Sequence, residues 1–238
     1  MSTTELTALN AATGASLVTM SSRSERWLPT LLSVIAGMVD VIGFLSFGIF
    51  TAHVTGNIVV MGALVVRHNR VNPAQILAIP VFIAAVAATW LVARASSRRG
   101  IGLMRLLLLI QFLLITCVLI FSAITKPSAD PHGLLATIAA MIGVTAMGCQ
   151  FALLRLTLPV APSTAVMTGN LTNAVLAIVD SSSRTPLMGS DSGRLTGALH
   201  LLVGFFVGCV VAAAAVMYLG DWAWSLPAAL SAAAVALR

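Results

Sequence analysis

The chain has 238 residues, of which 59% are hydrophobic and only 8% charged, and its mean hydropathy is +1.02. A soluble domain carries roughly 25% charged residues, so this composition excludes an ordinary water-soluble domain and calls for a bilayer as solvent. The net charge of +6 does not indicate a nucleic-acid partner, because the basic residues sit in short loops between apolar runs rather than on one face or tail.

In chain order, residues 1–26 are polar, rich in Ser, Thr and Ala, and lack an apolar repeat, which predicts a disordered cytoplasmic tail. The first apolar run begins at Trp27, is too long for a signal-peptide core and has no small-residue cleavage site after it, so it should stay as an anchor. Six runs are expected to cross the hydrocarbon core, at 28–47, 75–93, 101–124, 133–154, 195–219 and 222–237, the last one short for a span. Two shorter apolar pieces, 55–66 and 168–179, each begin at Thr-Gly-Asn. Twelve helical residues cover about 18 Å, little more than half of a membrane, which makes these pieces half-helix candidates.

Placing the N-terminus in the cytoplasm with both short pieces re-entrant leaves only Arg67, Arg70 and Lys126 outside, a 10:3 split of the 13 basic residues. If both pieces span, Arg94, Arg98, Arg99, Arg105 and Arg155 move outside and the split becomes 8:5, so the re-entrant arrangement is preferred. In that arrangement Trp27 and Trp90 fall at the inner interface, and Tyr218, Trp222 and Trp224 at the outer one. The expected fold is an all-α integral membrane protein, six transmembrane helices plus two short broken or re-entrant half-helices, arranged as an inverted 3+3 internal repeat. A single membrane domain would run over 27–238, with repeats over about 27–125 and 133–238.

The motif copies, Thr55-Gly56-Asn57 and Thr168-Gly169-Asn170, lie 113 residues apart, close to half the chain. Broken helices at matching places in two halves point to a transporter's binding site, with half-helix N-termini approaching near the midplane. There Thr and Asn are suited to cap free N–H groups, and Gly permits close approach or a left-handed turn. The lead-in segments agree: residues 47–53 are β-rich, and Pro159 and Pro162 forbid a regular helix before the second copy. The competing reading is that the motifs cap and pack helices without a ligand. Gly204-xxx-Gly208 and Ala84-xxx-Ala88 read as helix-packing contacts.

Asp40 is the one acidic residue inside an expected span. A carboxylate at that depth is costly. It would relay a proton or bind a cation, or else act as a structural lock satisfied by Asn57 or Arg155. Gln150 holds the comparable place in the second half. His53 precedes the first motif and is a candidate for titration in an outer vestibule, or for a satisfied interfacial histidine. Arg155 would attract an anion toward the inner half-helix or anchor in the headgroups. His200 and Gln111 read as polar packing residues. Cys117, Cys149 and Cys209 lack metal-ligand or disulfide spacing, and no catalytic constellation is present, so no cofactor, metal or enzymatic reaction is expected.

Several stretches resemble one family. They are Ala36-Gly37-Met38-Val39-Asp40-Val41-Ile42-Gly43-Phe44, His53-Val54-Thr55-Gly56-Asn57, Met147-Gly148-Cys149-Gln150-Phe151-Ala152 and Val166-Met167-Thr168-Gly169-Asn170. In order and spacing they resemble the YoaK-like bacterial membrane proteins, a domain family of unknown function, from about residue 29 to the C-terminus. The resemblance implies a multi-pass bacterial inner-membrane protein and supplies no substrate, cofactor or reaction. The expected partners are the lipid bilayer and a small-molecule solute; homo-oligomerisation stays open.

Overall fold

The computed structural model describes residues 27–68, 71–99, 102–159, 161–181 and 192–238, and the expected N-terminal tail lies outside them. Among these residues eight α-helices follow in order: α1 Trp27–Phe47, α2 Gly56–Val66, α3 Pro73–Arg99, α4 Leu103–Thr125, α5 Leu134–Thr157, α6 Met167–Ser181, α7 Ser192–Leu219 and α8 Ser225–Ala236. No strand occurs among the described residues. Helices satisfy their own backbone polar groups, as apolar surroundings demand.

Five stretches are long and apolar enough to cross a membrane: α1, α3, α4, α5 and the 42-residue run Leu195–Ala236 that contains α7 and α8. Gly220, at φ +55°, breaks that run and separates α7 from the 12-residue α8. The molecule is therefore an all-helical protein with several long apolar helices suited to a bilayer.

Burial separates centre from periphery. Of the apolar window in α1 and in α5, 67% is buried, against 22% in α3 and 33% in α4. The central pair is antiparallel: Gln150 of α5 reaches the Leu32 carbonyl on α1, while Gly143, further back on α5, faces Thr51, whose hydroxyl reaches Val39. α7 runs parallel to α1, with Gly204 against Thr30 and Gly208 against Val34. A Cβ on Gly208 would collide with the Val34 carbonyl, and one on Gly37 with the Phe205 carbonyl, so the two backbones touch directly. On the other side of the centre, Ala85 and Phe82 of α3 pack against Gly148 of α5.

Two expectations need correction. Gly204 and Gly208 do pack, but Ala84 and Ala88 are exposed, and in that turn of α3 it is Ala85 and Thr89 that are buried. Trp224 is not part of an interfacial belt. It is fully buried, stacked on Phe47 with ring centroids 6.0 Å apart, while Tyr218 and Trp222 are exposed.

Cross-links identify the two ends of the bundle. At one end Asn72 Nδ2 donates to the carbonyls of Phe47 (2.8 Å) and Pro131 (3.2 Å), joining the end of α1, the start of α3 and the turn before α5. Ser128 donates to Asp221 at this end. At the other end the Arg238 guanidinium lies 5.8 Å from the Trp27 ring centroid. By helix direction, Arg98, Arg105 and Arg155 belong to the Trp27 end as well.

Candidate functional site

The first motif copy is built around Asp40. Its side chain is 6% exposed. Oδ1 accepts from the backbone N–H groups of Ala52 (2.8 Å) and His53 (3.2 Å), and Oδ2 lies 2.6 Å from His53 Nδ1. The partner is thus neither Asn57 nor Arg155 but the segment that follows α1, together with its histidine. Amide donors and an imidazole N–H are the groups that make a buried carboxylate tolerable. The His53 side chain remains 28% exposed, and its ring meets Phe205 of α7 edge-on at 5.1 Å.

Asn57 fixes the same segment from the other side. Its Oδ1 accepts from the Phe50 N–H and its Nδ2 donates to the Phe50 carbonyl, both at 2.8 Å. Thr51 donates to the Val39 carbonyl at 2.9 Å. Gln75 donates to the carbonyl of Gly48, whose φ of +70° reverses the chain after α1 and suits a residue without a Cβ. Residues 48–54 thus run non-helically through the core, with Ile49, Thr51, Ala52 and Val54 buried. That location is possible because their polar groups have partners inside the protein.

The motif itself acts differently from a cap. Thr55 stands at the N-cap of α2 but makes no side-chain capping bond, and Asn57 reaches backward to Phe50 rather than to the helix start. Gly56 has no left-handed torsion; it makes room for the Phe50 ring, which a Cβ would approach to 3.0 Å.

The second copy repeats part of this. Asn170 Nδ2 donates to the Ser163 carbonyl at 2.8 Å, the same backward step as from Asn57 to Phe50. The shared pattern is seven residues long, Thr51-Ala52-x-x-Thr55-Gly56-Asn57 against Thr164-Ala165-x-x-Thr168-Gly169-Asn170, longer than the tripeptide that first draws attention. Val166 stands where the first copy has His53. Thr164 is fully buried, yet its hydroxyl has no partner, unlike that of Thr51. Thr168 is exposed and lies within the first turn of α6.

The remaining candidates separate. Gln150 is fully buried and far from a loop-holding role: its Nε2 donates to the Leu32 carbonyl at 2.9 Å and its Oε1 accepts from Gln111 Nε2 at 2.7 Å. This polar cross-brace of α1, α4 and α5 was not legible in Gln111, a lone amide on an apolar helix. Arg155 is exposed in the last turn of α5. The structure brings Asp40, His53 and the first copy together; α2 packs on α3 and α6 on α7, and among the described residues no hydrogen bond links the two copies. Among those residues there is also no cluster of three or more His, Cys, Asp or Glu side chains able to hold a metal. The cysteines are free; Cys149 and Cys209 contact the carbonyls of Leu107 and Gly37 as packing residues.

No curated relative and no solved structure matches the chain. Residues 28–237, nearly its whole length, do match one family, and the chain belongs to it: the family described as Protein of unknown function (DUF1275).

Proposed function

We propose that this protein is a small-solute permease of the bacterial inner membrane, with a cytoplasmic N-terminus and two inverted three-span halves whose broken segments dip from opposite faces. The observation that carries this reading is the bond from Asn72 to the Phe47 carbonyl. The chain between these residues leaves one end of the bundle and returns to the same end, as a re-entrant segment does. The 11 residues of α2 reach about 16 Å, enough to dip but not to cross. Antiparallel α1 and α5, and the matching packing of α7 on α1 and α3 on α5, support inversion of the halves. The arginine-rich Trp27 end fits the cytoplasmic side. Asp40, His53 and the two Thr-Gly-Asn copies are the residues assigned to the solute path, with an anionic or carbonyl-bearing solute favoured by half-helix N-termini. Without a nucleophile or metal cluster in the sequence pattern, we assign no enzymatic reaction.

A second reading, a non-transporting scaffold, draws support from Asn57 and Asp40, whose polar atoms are spent on holding the chain. Single cysteines at Ser24 and His68, in a background free of native cysteines, test the topology by side-specific labelling. Opposite sides are expected; labelling from one side would overturn re-entry. Flux of small anions into proteoliposomes then separates permease from scaffold.

A further inference from the structure

We propose that the second motif copy binds a small carboxylate anion, for which the Asp40 side chain is the built-in counterpart in the first copy. This rests on reading the second copy as part of the solute path. In the first copy, a carboxylate occupies the N–H groups of Ala52 and His53. Of their counterparts, the Ala165 N–H turns to Ser163 Oγ at 3.2 Å, and the Val166 N–H has no partner among the described residues. Gly56 N–H closes on the His53 carbonyl at 2.8 Å, whereas the N–H of Gly169 meets no backbone acceptor among those residues. The hydroxyl of Thr164 adds an independent observation. It is completely buried and unpartnered, in a position where Thr51 is hydrogen-bonded. A buried polar group left unpaired is costly, and its persistence at a potential binding site points to a ligand.

These groups lie within six residues of chain at the start of the 15-residue α6, and all of them can donate. Helix N-termini favour negative charge, and no acidic residue stands in the first turn of α6 to satisfy it internally. Gln150, the counterpart of Asp40, is engaged with Leu32 and Gln111. Val166, which carries one of the free N–H groups, is 51% exposed, and Arg155 at the end of α5 gives the same end of the bundle a positive charge. A carboxylate fits better than a cation or a neutral amine because the unpaired groups are donors.

The test uses the full chain in nanodiscs of a zwitterionic lipid, titrated with isotope-labelled acetate and read by saturation-transfer NMR, with chloride at matched ionic strength as competitor. Saturable acetate binding is expected, weakened about tenfold or more in Thr164→Val and within about twofold of wild type in Thr51→Val. Absence of saturable acetate binding, equal binding in Thr164→Val and wild type, or binding of chloride in place of acetate would each overturn the proposal. Acetate bound at this site without flux in proteoliposomes would sink the permease reading and leave the binding site standing.

Discussion

The two broken segments share seven residues of pattern but differ in how they are held. Residues 48–57 are tied by Asp40, by both polar atoms of Asn57, by Thr51 and by Gln75, and half of the segment is buried. Residues 161–170 are tied by Asn170 and by a local Ser163 bond, and Val166 and Thr168 are exposed. The same short motif is thus tightly held at one place in the chain and lightly held at the other. The residues that make the difference, Asp40 and His53, lie outside the repeated positions. In the first copy the chain supplies its own hydrogen-bond partners; in the second it leaves donors over.

The largest effect should come from removing the carboxylate. Asp40→Ala strips the partners from two backbone N–H groups and one partly exposed imidazole, and, as for removal of one partner of a buried polar pair, it should cost about 3–5 kcal/mol. Thermal unfolding in detergent, followed by circular dichroism, is the measurement. A loss below about 1 kcal/mol would mean that the first segment is not held by Asp40. Next in size is the asparagine pair. Asn57→Leu leaves both backbone groups of Phe50 without partners and is expected to cost about 3 kcal/mol, whereas Asn170→Leu frees one carbonyl in a less buried segment and should cost about 1 kcal/mol. Equal losses in the two variants would erase the contrast between the segments.

How much of this the sequence discloses depends on the interaction. The helices, the positions of the breaks and the duplicated motif are legible because hydropathy and an exact tripeptide are local signals. The partner of Asp40 is not: it is a pair of backbone amides 12 and 13 residues along in a non-helical segment, and no side-chain type advertises an amide. Asn57 and Asn170 likewise look like caps, and they become backward staples because the lead-in chain folds beneath them. Helix α3 explains another failure. It is apolar nearly all round, so its periodicity carries little information about which face packs, and the contact falls one residue from the expected Ala84 and Ala88. Trp224 misleads for a related reason, since tryptophan is at home both in interfacial belts and in cores.

His53→Val gives the first copy the residue that stands in the second. It removes the imidazole from Asp40 Oδ2 and the edge contact with Phe205 but preserves both amide bonds to Oδ1, so a loss of about 1–2 kcal/mol is expected, smaller than that of Asp40→Ala. If the two variants were equally unstable, the histidine rather than the amides would be what makes the buried carboxylate tolerable.

The smallest effect gives the sharpest contrast, because it uses one substitution at two equivalent positions. Thr51→Val deletes a hydroxyl that donates to the Val39 carbonyl, and a single neutral hydrogen bond is worth about 1 kcal/mol. Thr164→Val deletes a hydroxyl that is buried without a partner, so the variant sheds a desolvated polar group and should be neutral or slightly more stable in the absence of anions. The sign of the difference between the two variants is therefore fixed: Thr164→Val unfolds at the higher temperature. Acetate should then raise the unfolding temperature of wild type and Thr51→Val but not that of Thr164→Val, because a ligand stabilises only the form that binds it. If the order were reversed without acetate, the Thr164 hydroxyl would be engaged within the protein, and the difference between the two segments would reduce to Asp40 alone.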